Sequence, residues 1–296
     1  MYRLSGGGQL RRLVRQEEKM KAVFTVTESG TLSAAIGARY PALGKSRLAA
    51  LIKDRQVRVN GVRVGENIRL SAGDTVEAFL PERQTGRRIR VVYSDDNIVV
   101  ADKPAHTETA ALAALLAEEY GTLYPVHRLD VNTTGATVLA RNAKAKTLLE
   151  KAFAERRVKK TYKAVICGVP QKREGVLVNW LVKEEGRGMV RAYGAPVRGG
   201  LRSEAAYKII SDDGETSVVE LYPKTGRTHQ LRVQLAYIGH PVLGDGKYGN
   251  YAMNKKYSAT EQKLRAVSVG FGNMTDELAY LSGKEFDAED EEKEIR

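Results

Sequence analysis

The 296-residue sequence holds a single cysteine, Cys167. That excludes a disulfide framework and any multi-cysteine metal or iron–sulfur site, and it fits a reducing compartment. Histidines number four, His106, His127, His229 and His240, and no two are spaced i, i+4. With no second cysteine to assist, that spacing argues against zinc. No apolar run approaches the ~18 residues of a membrane span. The stretch Met1–Met20 carries Arg3, Arg11, Arg12 and Arg15 but no apolar core segment, so it does not read as a secretory signal. No internal repeat is visible. The run Gly244-Asp245-Gly246-Lys247-Tyr248-Gly249 lacks the hydroxyl residue and glycine spacing of a phosphate-binding loop.

What is present is charge. Lys and Arg total 48 against 36 Asp and Glu, a net +12, and 42% of residues are hydrophobic, enough for real cores. The segment 284–296 runs the other way, with seven acids and three bases, so the rest of the chain stands at +16. That segment is expected as a solvated acidic tail and residues 1–19 as a disordered extension. The remainder reads as a soluble cytoplasmic protein with an anionic partner, nucleic acid first.

Two domains are expected. The first spans 20–81, with helices over Thr31–Tyr40 and Lys45–Asp54. The hairpin signal Val57-Arg58-Val59-Asn60-Gly61-Val62-Arg63-Val64 follows. Residues 82–88 form a linker without periodicity. The second domain spans 89–283 and is α+β. Strands are expected at Ile89–Tyr93, Ile98–Ala101, Thr137–Ala140, Lys160–Cys167, Ala205–Ile210 and Val218–Tyr222. Helices are expected at Thr109–Tyr120, at Ala143–Arg156 capped by Asn142, and at Thr228–Gly239 with Thr228 as N-cap. Strands and helices do not alternate regularly, which argues against a doubly wound sheet.

Between positions 45 and 63 the first domain gathers Lys45, Arg47, Lys53, Arg55, Arg58 and Arg63 against one acid, Asp54. Such a surface suits a phosphate backbone without reading bases. The order helix, helix, Val-Asn-Gly hairpin resembles the small S-four-type RNA-binding domain. It departs where Leu32 is followed by Ser33 rather than by aspartate.

In the second domain three segments stand out: His127-Arg128-Leu129-Asp130 with Val131-Asn132-Thr133-Thr134-Gly135 behind it, Lys160-Thr161-Tyr162, and Thr225-Gly226-Arg227-Thr228-His229-Gln230-Leu231-Arg232. An arginine on the flank of an apolar helical stripe needs an anion, and Asp130 is a candidate. A lone Asp on such a loop is otherwise a turn residue.

With Asp102-Lys103-Pro104 before them and Gly239–Asp245 after, these segments resemble the RluA-type pseudouridine synthases over residues 20–283. The resemblance implies a mixed, largely antiparallel-sheet catalytic domain that isomerises uridine in RNA without metal or cofactor. Asp130 matches the family's catalytic aspartate, which attacks ribose C1′ or uracil C6 or acts as a base at the ribose. Arg232 matches the arginine that pairs with it, and Tyr162 the tyrosine that stacks on uracil. Arg128 matches the arginine that takes the space of a flipped-out base. His127 and His229 are expected to bond backbone near the site, and Phe153 and Trp180 to be core residues. Large-subunit ribosomal RNA is the first expected substrate and transfer RNA the second, and nothing demands more than a monomer. Thr134 stands where the family usually has serine. A non-catalytic RNA binder would have no need of Asp130, Tyr162 and Arg232 together. A methyltransferase would need a glycine-rich cofactor loop that is absent from this sequence.

Overall fold

The computed structural model describes residues 19–40, 43–81, 89–184, 186 and 188–288. The expected linker, most of the N-terminal extension and residues 289–296 lie outside that set. By its contacts the chain divides into two compact units, Met1–Arg39 with Lys45–Arg87 and Tyr40–Gly44 with Arg88–Arg296.

The first unit holds β1 (Lys19–Thr25), β2 (Gly30–Thr31), α1 (Leu32–Arg39), α2 (Gly44–Lys53), β3 (Val57–Val59), β4 (Val62–Val64), β5 (Arg69–Leu70) and β6 (Thr75–Pro81). Four strands form an antiparallel sheet ordered β1-β6-β3-β4. Its core takes Leu32 and Ile36 from α1, Leu48, Leu51 and Ile52 from α2, and Val57, Val59, Val76 and Ala78 from the strands. Asn60 and Gly61 both have positive φ, 50° and 80°, the backbone that a two-residue hairpin turn requires. The Asn60 amide also donates to Asp74 and accepts from the Thr75 N–H, each at 2.9 Å, which pins the hairpin to the start of β6.

The second unit is α+β, built on a large sheet. Its strands are β7 (Val91–Ser94), β8 (Ile98–Lys103), β9 (Tyr124–Pro125), β10 (Thr134–Ala140), β11 (Val158–Cys167), β12 (Glu174–Glu184), β13 (Met189–Tyr193), β14 (Leu201–Asp212), β15 (Thr216–Pro223), β16 (Leu264–Phe271) and β17 (Glu285–Asp287). The order is β13-β12-β14-β15-β11-β16-β10-β8-β7, with β9 beside β10 and β17 beside β16. Pairings are antiparallel except β10 with β16. The helices are α3 (Thr109–Tyr120), α4 (Ala143–Ala154), α5 (Gln230–Tyr237) and α6 (Tyr251–Lys256). Asn142 caps α4 through the Ala145 N–H at 2.8 Å.

Two apolar cores flank the middle of the sheet. One joins Ile98, Val100, Val138, Leu149 and Val158 to Val269 and Phe271. The other joins Leu129, Tyr162, Ala164, Leu221, Leu231 and Leu235 to Ala266. At the parallel pair, Gly135 has φ +108°, and a Cβ there would lie 2.0 Å from the Ala266 carbonyl oxygen. Glycine is the one residue that fits this crossing.

Three expectations change. The acidic tail does not begin at 284, because Phe286 packs against Tyr93 at 4.4 Å between ring centroids and Ala288 is fully buried. Thr228 does not cap α5; His229 holds the N-cap position with a left-handed φ of 53°. The preceding turn is closed by the Gln230 side chain, which accepts from Thr225 Oγ1 and the Arg227 N–H. Finally, α5 is buried on nearly all sides, with Gln230, Arg232 and Gln234 as enclosed as its leucines.

Candidate active site

The loop before β10 is fastened on both sides of Asp130. Leu129 plugs into the second core, and its N–H donates to Thr109 Oγ1 at 3.2 Å. The Val131 carbonyl accepts from the ammonium of Lys103, which also donates to the carbonyls of Pro104 and Thr107. Thr133 closes a turn onto the Asp130 carbonyl, and its hydroxyl accepts from Gln262. The carboxylate of Asp130 is the part left to project.

It projects onto Arg232, whose Nη1 donates to Asp130 Oδ2 at 3.0 Å. The other edge of the guanidinium is taken by Asp245, with Nε to Oδ2 at 2.7 Å and Nη2 to Oδ1 at 2.9 Å. The Asp245 side chain is fully buried, and its Oδ1 also accepts the N–H groups of Lys247 and Tyr248. Burial pushes the Asp245 carboxyl up, but Arg232 and those N–H groups outweigh it and hold it below the usual carboxylate range. Burial opposes the charge on Arg232, and the two carboxylates more than restore it. The guanidinium plane also lies over the Tyr248 ring, 5.2 Å from its centroid.

Tyr162 enters from β11, buried in the second core, and burial with the nearby Asp130 charge keeps its phenol protonated. Asp130, Tyr162 and Arg232 line one cleft of about 910 Å³, with Arg128 exposed on its wall. Arg156, Lys159 and Arg227 add further cations to that lining. Such a space has room for a nucleotide-sized group among cations, with the Asp130 carboxylate fixed beside it by Arg232.

The profile of the RNA pseudouridylate synthase family matches residues 91–237. An uncharacterised RNA pseudouridine synthase of Mycobacterium bovis is 31% identical over 265 residues, covering 81% of this chain and 85% of that one. A ribosomal large subunit pseudouridine synthase C of Vibrio vulnificus is 32% identical, covering 77% and 80%. The chain belongs to the RNA pseudouridine synthase family. Among solved structures, human RNA pseudouridylate synthase domain containing 1 is similar at a TM-score of 0.60 and 26% identity, covering 69% of this chain and 84% of that one. The synthase is therefore an isomerase that converts uridine in RNA to pseudouridine.

Of the residues singled out from the sequence, Asp130 and Arg232 meet directly, and Tyr162 and Arg128 share their cleft. The basic set of the first unit is more dispersed. Arg58 faces Glu77 at 3.9 Å and lies over the Phe79 ring. Arg55 covers Gly65. Lys53 and Arg63 are exposed. The side chains of Lys45 and Arg47 lie outside the described residues. His127 bonds backbone as expected, accepting from the Val138 N–H at 2.9 Å. His229 does not: its Nδ1 shares a hydrogen bond with the Tyr248 hydroxyl. Phe153 stands in the cleft wall, stacked on His127 at 4.7 Å.

Sequence reasoning missed the part played by Asp245 and Lys103. Both stood in runs already noticed, but Asp245 was weighed as a member of a phosphate loop. The structure spends the N–H groups of that run on Asp245 itself. Gly244, where a Cβ would lie 1.9 Å from the Glu261 carbonyl oxygen, brings the turn close enough for this.

Proposed function

We propose that the synthase modifies uridine in large-subunit ribosomal RNA, in the cytoplasm and as a monomer, with Asp130 as the catalytic carboxylate. The observation that carries the assignment is the 3.0 Å contact between Asp130 and an Arg232 already neutralised by Asp245. A carboxylate so held keeps one rotamer, as a nucleophile or base in a closed site must. The target base leaves its stack to reach the cleft. Its uracil lies against Tyr162, and Arg128 takes the vacated space as a flat cationic surrogate.

The reaction is an isomerisation. The bond from ribose C1′ to uracil N1 breaks, the bond from C1′ to C5 forms, and the C5 hydrogen departs as N1 gains a proton. Electrons and atoms balance within the substrate, so the chemistry asks for no metal and no cofactor. Asp130 acts by attack on C1′ or C6, or as a base at the ribose. The first unit serves as an S-four-type clamp on the RNA backbone, supported by its exposed Lys53 and Arg63. The substrate assignment is supported by the similarity to the Vibrio vulnificus large-subunit enzyme.

Release of tritium from RNA labelled at uracil C5 tests this reading directly. The wild type is expected to release it from large-subunit ribosomal RNA and the Asp130→Ala variant to lose turnover by at least about 10²- to 10⁴-fold. Release from transfer RNA alone would move the substrate, and an active Asp130→Ala enzyme would remove the carboxylate from the mechanism.

A further inference from the structure

On β11 the residues Val158, Lys160, Tyr162 and Ala164 share one face of the strand. Val158 belongs to the first core, and Tyr162 and Ala164 to the second. Lys160 is thus a cation on the inward face of a central strand, at the seam between two apolar cores, and it lines the cleft. Its ammonium lies 5.9 Å from the centroid of Phe153, and among the described residues no acceptor meets it. Gly226 borders the same position; a Cβ there would come within 3.8 Å of Lys160 Nζ, so the missing side chain keeps the approach open. Burial pushes the lysine below its ordinary pKa. The neighbouring His127 adds no second positive charge, because burial and Lys160 push it down to about 3, and an imidazole has no negative form to offer the ammonium. A half-enclosed ammonium without an anion is costly. The first and second cores offer no reason to keep it.

We infer that Lys160 Nζ binds a non-bridging oxygen of the RNA phosphate attached to the flipped uridine. The inference rests on the reading of the cleft given above, with uracil against Tyr162. Two residues of extended strand separate Tyr162 from Lys160, about 7 Å. A ribose fills that interval, with base at one end and phosphate at the other. A phosphate supplies the full countercharge that the site lacks, whereas a neutral uracil carbonyl leaves the ammonium uncompensated. The contact carries no sequence information; it sets how far the nucleotide enters and so where C1′ stands relative to Asp130.

The test uses the full-length Asp130→Asn protein, which is expected to bind without turnover. Its affinity for a large-subunit ribosomal RNA transcript and for poly(A) is measured across a potassium chloride series. Adding Lys160→Met should weaken transcript binding roughly 10- to 100-fold, as loss of a charged hydrogen bond does. It should also reduce the slope of log affinity against log salt by about one. Binding to poly(A), which has no uridine to flip, should not change, and Lys160→Arg should keep most of the slope. An unchanged slope for Lys160→Met, or an equal loss on poly(A), overturns the inference. So does a fall in its thermal midpoint without RNA, since removing an uncompensated cation from a phosphate subsite leaves the apo fold at least as stable. Turnover by Asp130→Asn would instead overturn the reading of the cleft, and the two failures are distinguishable.

Discussion

Asp245 grips Arg232 through both Nε and Nη2, and Nη1 is the edge left to face Asp130. The arginine is therefore oriented by one carboxylate in order to act on another. A forked guanidinium does this, and a point-charge ammonium does not.

Asp245→Asn should lower kcat by at least about tenfold with Asp130 untouched, because the amide cannot accept from both nitrogens. Breaking one side of a buried ion pair should also cost about 3–5 kcal/mol of stability. Arg232→Lys should reproduce the kinetic loss. Steady-state kinetics and denaturant unfolding of the two variants check this; a normal kcat in Asp245→Asn would show that the orientation of Arg232 is set elsewhere.

Lys103 gives the synthase a pH signature. Burial lowers its pKa to about 7, while the unfolded chain keeps the ordinary lysine value of 10.5. Between those values the unfolded state binds more protons, so the stability from this group rises with pH and levels off above the unfolded value. Unfolding free energy followed from pH 7 to 10 should climb more steeply in the wild type than in Lys103→Met. Parallel curves would refute it.

Gly135→Ala should be among the most destabilising single changes in the second unit. The new methyl meets the Ala266 carbonyl oxygen at 2.0 Å, in a backbone conformation that alanine avoids. Loss of more than about 3 kcal/mol is expected, the upper range for overpacking combined with backbone strain. Turnover should fall too, since Asp130 sits five residues upstream. Urea unfolding provides the check.

In the first unit, the triple change of Lys53, Arg55 and Arg63 to glutamine should flatten the salt dependence of RNA binding by up to about three in slope. Chemistry at saturating RNA should stay within a few-fold. Filter binding across a salt series, paired with single-turnover rates, separates the two effects.

The candidate site was legible where its residues lay in short runs, and the structure brings those runs to one cleft. Asp130 with its Thr-Thr-Gly turn, Tyr162 on its strand and Arg232 on its helix could each be found locally. The grip of Asp245 on Arg232 was hidden because it depends on Gly244 approaching residue 261 from another part of the chain. Strand β16 went unread because it lies at the centre of the sheet and is buried on both faces, so it lacks the alternation that marks a half-buried strand. On β12 the buried Asn179, which accepts from Gln234, interrupts the apolar pattern. The N-cap at Thr228 failed because the Gln230 side chain closes the turn instead, accepting from Thr225 Oγ1 and the Arg227 N–H. Phe286 was lost among acids and counted as tail.

The position of β16 has a consequence for the integrity of the cleft. It is the strand that joins β10 to β11, and so joins the part of the sheet that carries Asp130 to the part that carries Tyr162. It is also supplied by residues 264–271, near the end of the chain. The two parts of the sheet come together around one cleft only with this strand between them. Weakening the pairing of β16 should therefore part Asp130 from Tyr162 while β10 and β11 each keep their other neighbour, β8 and β15.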